Sequence, residues 1–227
     1  MSNTDSFIDE VTEEVRRDRL YMLLRRYGWI AALVLALIIG GVAWLEVRKA
    51  QARAEAEALG DAMLAALSVD DSTTRAGALA DISAASPQGA AVLRLMTAAE
   101  QVQAGDPAAA AATLETLALD GDVPAIYRQI AQFKALTLQA GTTDAATRRV
   151  AFEALAQPGN PLRLLAVEQL ALIDVETGDT DAALERYQAI LVDAELTQDL
   201  QQRALQVIVA LGGNPDAGAA GTTGTDN

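Results

Sequence analysis

Apolar positions along this chain fall into two patterns. Between Arg26 and Glu46 they are nearly continuous, Tyr27-Gly28-Trp29-Ile30-Ala31-Ala32-Leu33-Val34-Leu35-Ala36-Leu37-Ile38-Ile39-Gly40-Gly41-Val42-Ala43-Trp44-Leu45, with no charge and no proline. A helix rising about 1.5 Å per residue needs roughly 20 apolar residues to cross about 30 Å of hydrocarbon, so residues 27–47 are predicted to span a membrane. Tyr27, Trp29 and Trp44 stand at the ends, where amphipathic rings prefer the headgroup level. From Ala50 onward the second pattern takes over. Apolar residues recur at helical spacing in stretches of roughly 12 to 18 residues, with no alternating stretch of the strand type. Ahead of the span, Phe7, Ile8, Val11, Val15 and Met22 mark one side of a short amphipathic helix within residues 1–26. Acids lead this helix and arginines end it, in keeping with the helix dipole, and Glu13 lies one turn from Arg17.

Two rival readings of the apolar run are weaker. A buried core helix is ordinarily shorter. A cleaved signal peptide would find small residues at Gly41-Val42-Ala43, but it begins with a short basic stretch and carries about 7–15 apolar residues, whereas a long mixed-charge segment precedes this longer run. Arg16, Arg17, Arg19, Arg25 and Arg26 precede the span; Glu46, Arg48, Lys49 and Arg53 follow it, and the next base is Arg75. That bias orients the start of the chain toward the cytoplasm and the remainder outside it, in the periplasm of a Gram-negative cell. The basic segment either sets this topology or binds a cytoplasmic partner, and topology alone accounts for it. Ala32, Ala36 and Gly40 lie four apart and form a candidate contact for another membrane helix.

Beyond the span, breaks recur with a period. Gly105-Asp106-Pro107, Gly141-Thr142-Thr143-Asp144 and Gly178-Asp179-Thr180-Asp181 lie 36 and 37 residues apart, and Val69-Asp70-Asp71-Ser72 falls about one period earlier. A second series lies halfway between: Ser86-Pro87-Gln88-Gly89, Asp120 to Pro124, Pro158-Gly159-Asn160-Pro161, and the stretch around Asp193-Ala194-Glu195. Two interleaved series of one period imply helix-turn-helix units. Ser86, Asp106 and Asn160 are predicted to cap helices that begin at Pro87, Pro107 and Pro161, where a missing N–H costs nothing. A last helix from Thr197 to Leu211 would close the series, and residues 212–227, with nothing to bury, are expected to be disordered.

The segment Ala166 to Leu191 resembles a tetratricopeptide repeat. Leu170 and Ala171 stand at the pattern's Leu-Gly pair, Ala183 at the small residue of the second helix, and Tyr187 at its aromatic. Gly105-Asp106 with Ala110 and Leu114 forms a degenerate copy. The first-helix Trp position holds Val167 or Arg94, the tyrosine is replaced by Asp174 or Gln101, and the period exceeds the family's roughly 34 residues. The expected fold is therefore all-α, a single transmembrane helix followed by an α-solenoid of degenerate tetratricopeptide-like helix pairs over residues 48–211. More widely, the start Phe7-Ile8-Asp9-Glu10-Val11-Thr12-Glu13-Glu14-Val15-Arg16-Arg17-Asp18, one span and an alanine-rich repeat domain resemble the YfgM-type ancillary subunit of the SecYEG translocon. That resemblance implies an inner-membrane protein whose periplasmic repeats meet a membrane-anchored chaperone/isomerase and proteins emerging from the translocon.

Charge sharpens this picture. Of 17 basic and 31 acidic residues, eight and seven lie within residues 1–53, which leaves nine and 24 beyond Arg53, a net of −15. An acidic outer domain repels nucleic acid, and no nucleic-acid partner is expected. The chain has no Cys and no His, which removes disulfides, Cys/His zinc sites, cysteine nucleophiles and histidine bases. No cofactor, metal or enzymatic activity is expected. Asp70-Asp71, Asp120/Asp122 and Asp179/Asp181 suit turns and caps better than paired catalytic carboxylates or calcium ligands. Arg148-Arg149 is read as a solvated helix face in preference to an anion contact. Function should then lie in binding along the first helix of each unit, with Arg94, Gln101, Val167 and Asp174 as candidate groove positions. The alternative within this architecture is an envelope scaffold for cell division or peptidoglycan synthesis.

Overall fold

The computed structural model describes the backbone from Thr4 to Asn214 and the side chains from Arg25 onward, those of Ala31 and Ala32 excepted. The amphipathic face expected on Phe7, Ile8, Val11, Val15 and Met22 lies outside the described side chains, and residues 215–227 of the expected tail lie outside the described residues. Every named element is a helix: α1 (Thr4–Leu67), α2 (Ser72–Ala80), α3 (Pro87–Gln103), α4 (Pro107–Ala118), α5 (Ala125–Leu138), α6 (Ala145–Leu155), α7 (Arg163–Glu176), α8 (Thr180–Leu191) and α9 (Gln198–Ala210). The chain divides into two compact units, Met1–Glu57 and Ala58–Asn227.

The amino-terminal segment and the apolar run, expected as separate elements, are one helix. The reason is local. From Val42 to Leu59 there is no Gly or Pro, and residues 46–58 are mostly Ala, Glu, Arg, Lys and Gln, among the strongest helix formers, so nothing stops α1 where hydropathy changes.

In the second unit the turns follow the expected chemistry. The side chains of Asp71, Ser86, Asp106, Asp144, Asp179 and Thr197 each accept a backbone N–H three residues on and start α2, α3, α4, α6, α8 and α9. α3 and α7 end identically. Gly105 (φ 80°) and Gly178 (φ 83°) adopt the left-handed conformation that ends a helix at little cost only for glycine. The N–H of the next residue, Asp106 or Asp179, returns to the carbonyl of Gln101 or Asp174 at 2.9 and 2.8 Å, and the same Asp caps the following helix. Asn160 departs from expectation. Its Oδ1 accepts the N–H of Leu162 at 2.9 Å, closing a turn two residues long, so α7 begins at Arg163 without a side-chain cap.

Among the described residues the interior is a succession of four small cores, each drawn from three consecutive helices. The first joins Met63 and Ala66 of α1 to Leu79 and Leu93. The next joins Ala91 and Ala98 of α3, Leu114 and Leu117 of α4, and Ala131 and Ala135 of α5. Leu136, Phe152, Ala166 and Leu170 link α5 to α7, with Phe133 edge-on to Phe152 at 5.7 Å between ring centroids. Ala171, Tyr187, Ile190, Leu200, Ala204 and Ile208 close the series. Seven alanines, Ala91, Ala110, Ala131, Ala166, Ala171, Ala183 and Ala204, are fully buried within these helices, where a small side chain lets neighbours pack closely.

The helices also repeat in fours. Residues 72, 107 and 125 begin α2, α4 and α5; 73 residues on, 145, 180 and 198 begin α6, α8 and α9. α3 and α7 end at 103 and 176, again 73 apart, and only the start of α7 is delayed, by the Asn160 turn. The pairs Ala98/Ala171, Ala110/Ala183, Leu117/Ile190 and Ala131/Ala204 are buried at this offset. The stretch α2–α5 is thus repeated as α6–α9, a doubling of the period read from the turns.

Candidate binding surfaces

α1 is long and apolar enough to cross a membrane, and among the described residues none covers its apolar stretch. Leu33, Leu37, Ile39 and Val42 are 50–67 % exposed. At one end the Arg26 guanidinium lies 5.9 Å from the Tyr27 ring centre; at the other Arg48 lies 4.4 Å from that of Trp44, so aromatic-cation pairs bracket the run. Ala36 and Gly40 are exposed on this helix, and a Cβ at Gly40 would meet nothing within 4 Å. The Ala32 side chain lies outside the described residues.

The four groove positions prove to be engaged within the fold. Arg94 donates to Asp120 at 2.7 Å, and Gln101 accepts from the Thr113 hydroxyl at 2.9 Å. Val167 packs against the α7–α9 core. Asp174 is 2 % exposed and sits between Arg149 (2.6 Å) and Arg186 (2.7 Å). Arg94 and Gln101 belong to α3, Val167 and Asp174 to α7. Gln101 and Asp174 occupy matching places in the two copies, as do the residues they hold, Thr113 and Arg186. Helix spacing located these positions on the first helices; it did not show that neighbouring helices already use their polar groups.

Arg148-Arg149 corrects the reading of a solvated face. Arg148 is 4 % exposed, donates to Thr143 O at 3.1 Å and pairs with Glu176, while Arg149 reaches Asp174. Both fasten α6 to α7. Sequence reasoning missed this because their acids lie 25 and 28 residues away. A series of such clasps runs through the unit: Arg75–Glu100 at 2.6 Å, Arg163 to Asp193 and Glu195 at 2.8 and 2.7 Å, and Arg203 gripping Glu168 with two bonds of 2.7 and 2.8 Å. The Arg163 guanidinium holds Asp193 below the ordinary carboxylate range, as Arg94 does Asp120. Hydroxyl and backbone donors from Thr74 and Thr147 do the same for Asp71 and Asp144. One acid of each candidate pair is engaged: Asp71 and Asp179 cap helices, and Asp120 Oδ1 accepts the Asp122 N–H.

A cleft of about 350 Å³ runs between α3 and α5, walled by Leu95, Ala99 and Val102 on one side and Phe133, Lys134 and Thr137 on the other, with Leu114 of α4 among its lining. Lys134 is exposed and makes no ion pair among the described residues. It is also the only lysine after Lys49, the one signal by which the sequence could have marked this place. A smaller opening of about 280 Å³ lies beside Glu115, Leu119 and Gln139, where the Gln139 amide donates to Glu115.

No family model, characterised protein or solved structure matches the chain, so its functional reading rests on these residues.

Proposed function

We propose that this chain is a membrane-anchored protein-interaction module: a single-pass inner-membrane protein, its start in the cytoplasm, whose helices α2–α9 form a periplasmic α-solenoid of degenerate tetratricopeptide-like pairs. The observation that carries this reading is the presence in one chain of a bare apolar helix and an open, apolar-walled cleft in a unit of small consecutive cores. Helix pairs stacked in that way offer an extended surface to polypeptides, and an anchor raises their effective concentration toward membrane partners. The chain's inventory supports binding over catalysis, because it has neither His nor Cys and Asp71, Asp106 and Asp179 are taken up as caps.

The resemblance to the YfgM-type subunit narrows the partners to the SecYEG translocon, a membrane-anchored periplasmic chaperone/isomerase and emerging secreted chains. The test is photocrosslinking in intact membranes from Val102 and Lys134 at the cleft. Adducts with translocon subunits, that chaperone or nascent secreted chains are the expected result. Adducts with division or wall-synthesis proteins would replace the reading with the envelope scaffold, and adducts with cytoplasmic proteins would reverse the topology.

A further inference from the structure

The internal repeat offers a comparison within one chain. Leu114 of α4 and Tyr187 of α8 stand 73 residues apart at matching places, both buried. In the second copy Tyr187 packs with Ala171 of α7 and with Leu200, Ala204 and Ile208 of α9, so its ring occupies the seam between those helices. Its hydroxyl is buried without a hydrogen-bond partner, and burial pushes it up to about 12, with the Glu168 carboxylate adding to the shift. Over the same seam Arg203 bridges to Glu168. An aromatic ring with a carboxylate–cation pair beside it thus closes the α7–α9 groove from within.

In the first copy each of these parts is absent. Leucine replaces the tyrosine, and the places of Glu168 and Arg203 hold Leu95 and Ile130, which cannot form a clasp. The α3–α5 seam is left as the cleft of about 350 Å³, within the range of small ligand sites, roughly 300–1,000 Å³. Its lip also differs in charge. Lys134 lines it and α5 carries no acidic residue, in a domain otherwise dominated by acids, whereas the place of Lys134 in the second copy is Val207, which packs on the core. Here the local field favours a carboxylate where the rest of the domain repels one.

We propose that the α3–α5 cleft is a socket for an aromatic side chain of a partner polypeptide, with an adjacent carboxylate of the same partner held by Lys134, reproducing from outside what Tyr187 and Glu168 supply from within the second copy. The proposal rests on the interaction-module reading and adds the chemistry of the partner. Aromatic residues suit such a role because they bury a large area at small conformational cost.

The test uses the full chain in lipid nanodiscs, which keeps detergent out of the cleft, and four fluorescent ten-residue peptides that differ only in a central Tyr-Glu, Leu-Glu, Tyr-Gln or Tyr-Lys. Anisotropy titrations should rank Tyr-Glu first, with Leu-Glu weaker by about tenfold. Leu114→Tyr should plug the socket and weaken Tyr-Glu by at least about tenfold. Should that variant fail to fold, Ala99→Phe at the exposed lip covers the cleft without entering the core and should do the same. Lys134→Glu should abolish the preference of Glu over Gln and favour Tyr-Lys. Equal binding of all four peptides, binding unaffected by Leu114→Tyr and Ala99→Phe, or no binding to the native chain would each overturn the socket. Capture of translocon subunits or chaperone from Val102 and Lys134 alongside indifferent peptides would retain the interaction module while removing the socket. A clear Tyr-Glu preference without such capture would retain the socket and remove the translocon assignment.

Discussion

The stretches α2–α5 and α6–α9 place their helices in the same order and nearly the same register, yet they close differently. In the second, Asp174 is gripped by Arg149 and Arg186, Glu168 by Arg203, and Tyr187 fills the seam between first helices. In the first, the places of Asp174 and Arg186 hold Gln101 and Thr113, joined by one neutral hydrogen bond, and Leu114 leaves the seam open. The shared frame is set by caps, Gly-Asp turns and buried alanines. What differs is the handful of large or charged side chains laid on it, and those decide whether a groove is sealed or available.

The largest effect should come from emptying the sealed seam. Tyr187→Ala removes a fully buried ring and should cost about 3–5 kcal/mol in urea unfolding followed by circular dichroism, more than Leu114→Ala, whose smaller buried side chain lies beneath an existing cleft. A smaller loss at Tyr187 than at Leu114 would break the comparison. Tyr187→Phe sharpens it, since removing an unpartnered buried hydroxyl should be neutral or stabilise by about 1 kcal/mol.

Next in size are the clasps. Asp174→Ala strands two arginines that are about a third exposed and can partly rehydrate, so the expected cost is about 2–3 kcal/mol, against about 1 kcal/mol for Gln101→Ala. Equal costs would mean that the charged pair adds nothing over the neutral one.

Acid should act through both copies. Asp71 and Asp120 in the first, and Asp144 and Asp193 in the second, are held below their ordinary carboxylate values. Each therefore contributes stability that is fully present above the unfolded value of about 3.9 and is lost as pH falls through the lower folded value. Thermal midpoints should be flat from neutral pH to about 5 and decline below about 4. A decline beginning at pH 6 would assign the sensitivity to other groups. The smallest effect belongs to Lys134→Ala, whose exposed side chain makes no ion pair among the described residues; stability should change by no more than about 0.5 kcal/mol.

Much of the frame was legible in the sequence because it is local. Ser86 before Pro87, Asp106 before Pro107 and the Gly-Asp pairs act within a turn, and the apolar run announces itself by length. Asn160 misled because Asn bonds as readily two residues on as three, and the choice is made by the following backbone. α1 runs past the end of the apolar stretch because helix propensity and hydropathy are separate signals, and the division at residue 47 followed only the second. The site was less legible. Asp174 and Arg148 look like surface residues until partners 25 and 28 residues away are known, and the cleft exists through the difference between Leu114 and Tyr187, visible once helix ends fix the 73-residue offset.

The most direct test places a photoreactive residue at Thr137, on the lip of the α3–α5 cleft, and in a second variant at Ala210, the matching exposed place 73 residues on, and compares adducts formed in intact membranes. An open groove in the first copy and a sealed one in the second predict partner adducts from Thr137 and none from Ala210. Equal capture from both places, or from neither, would contradict the account.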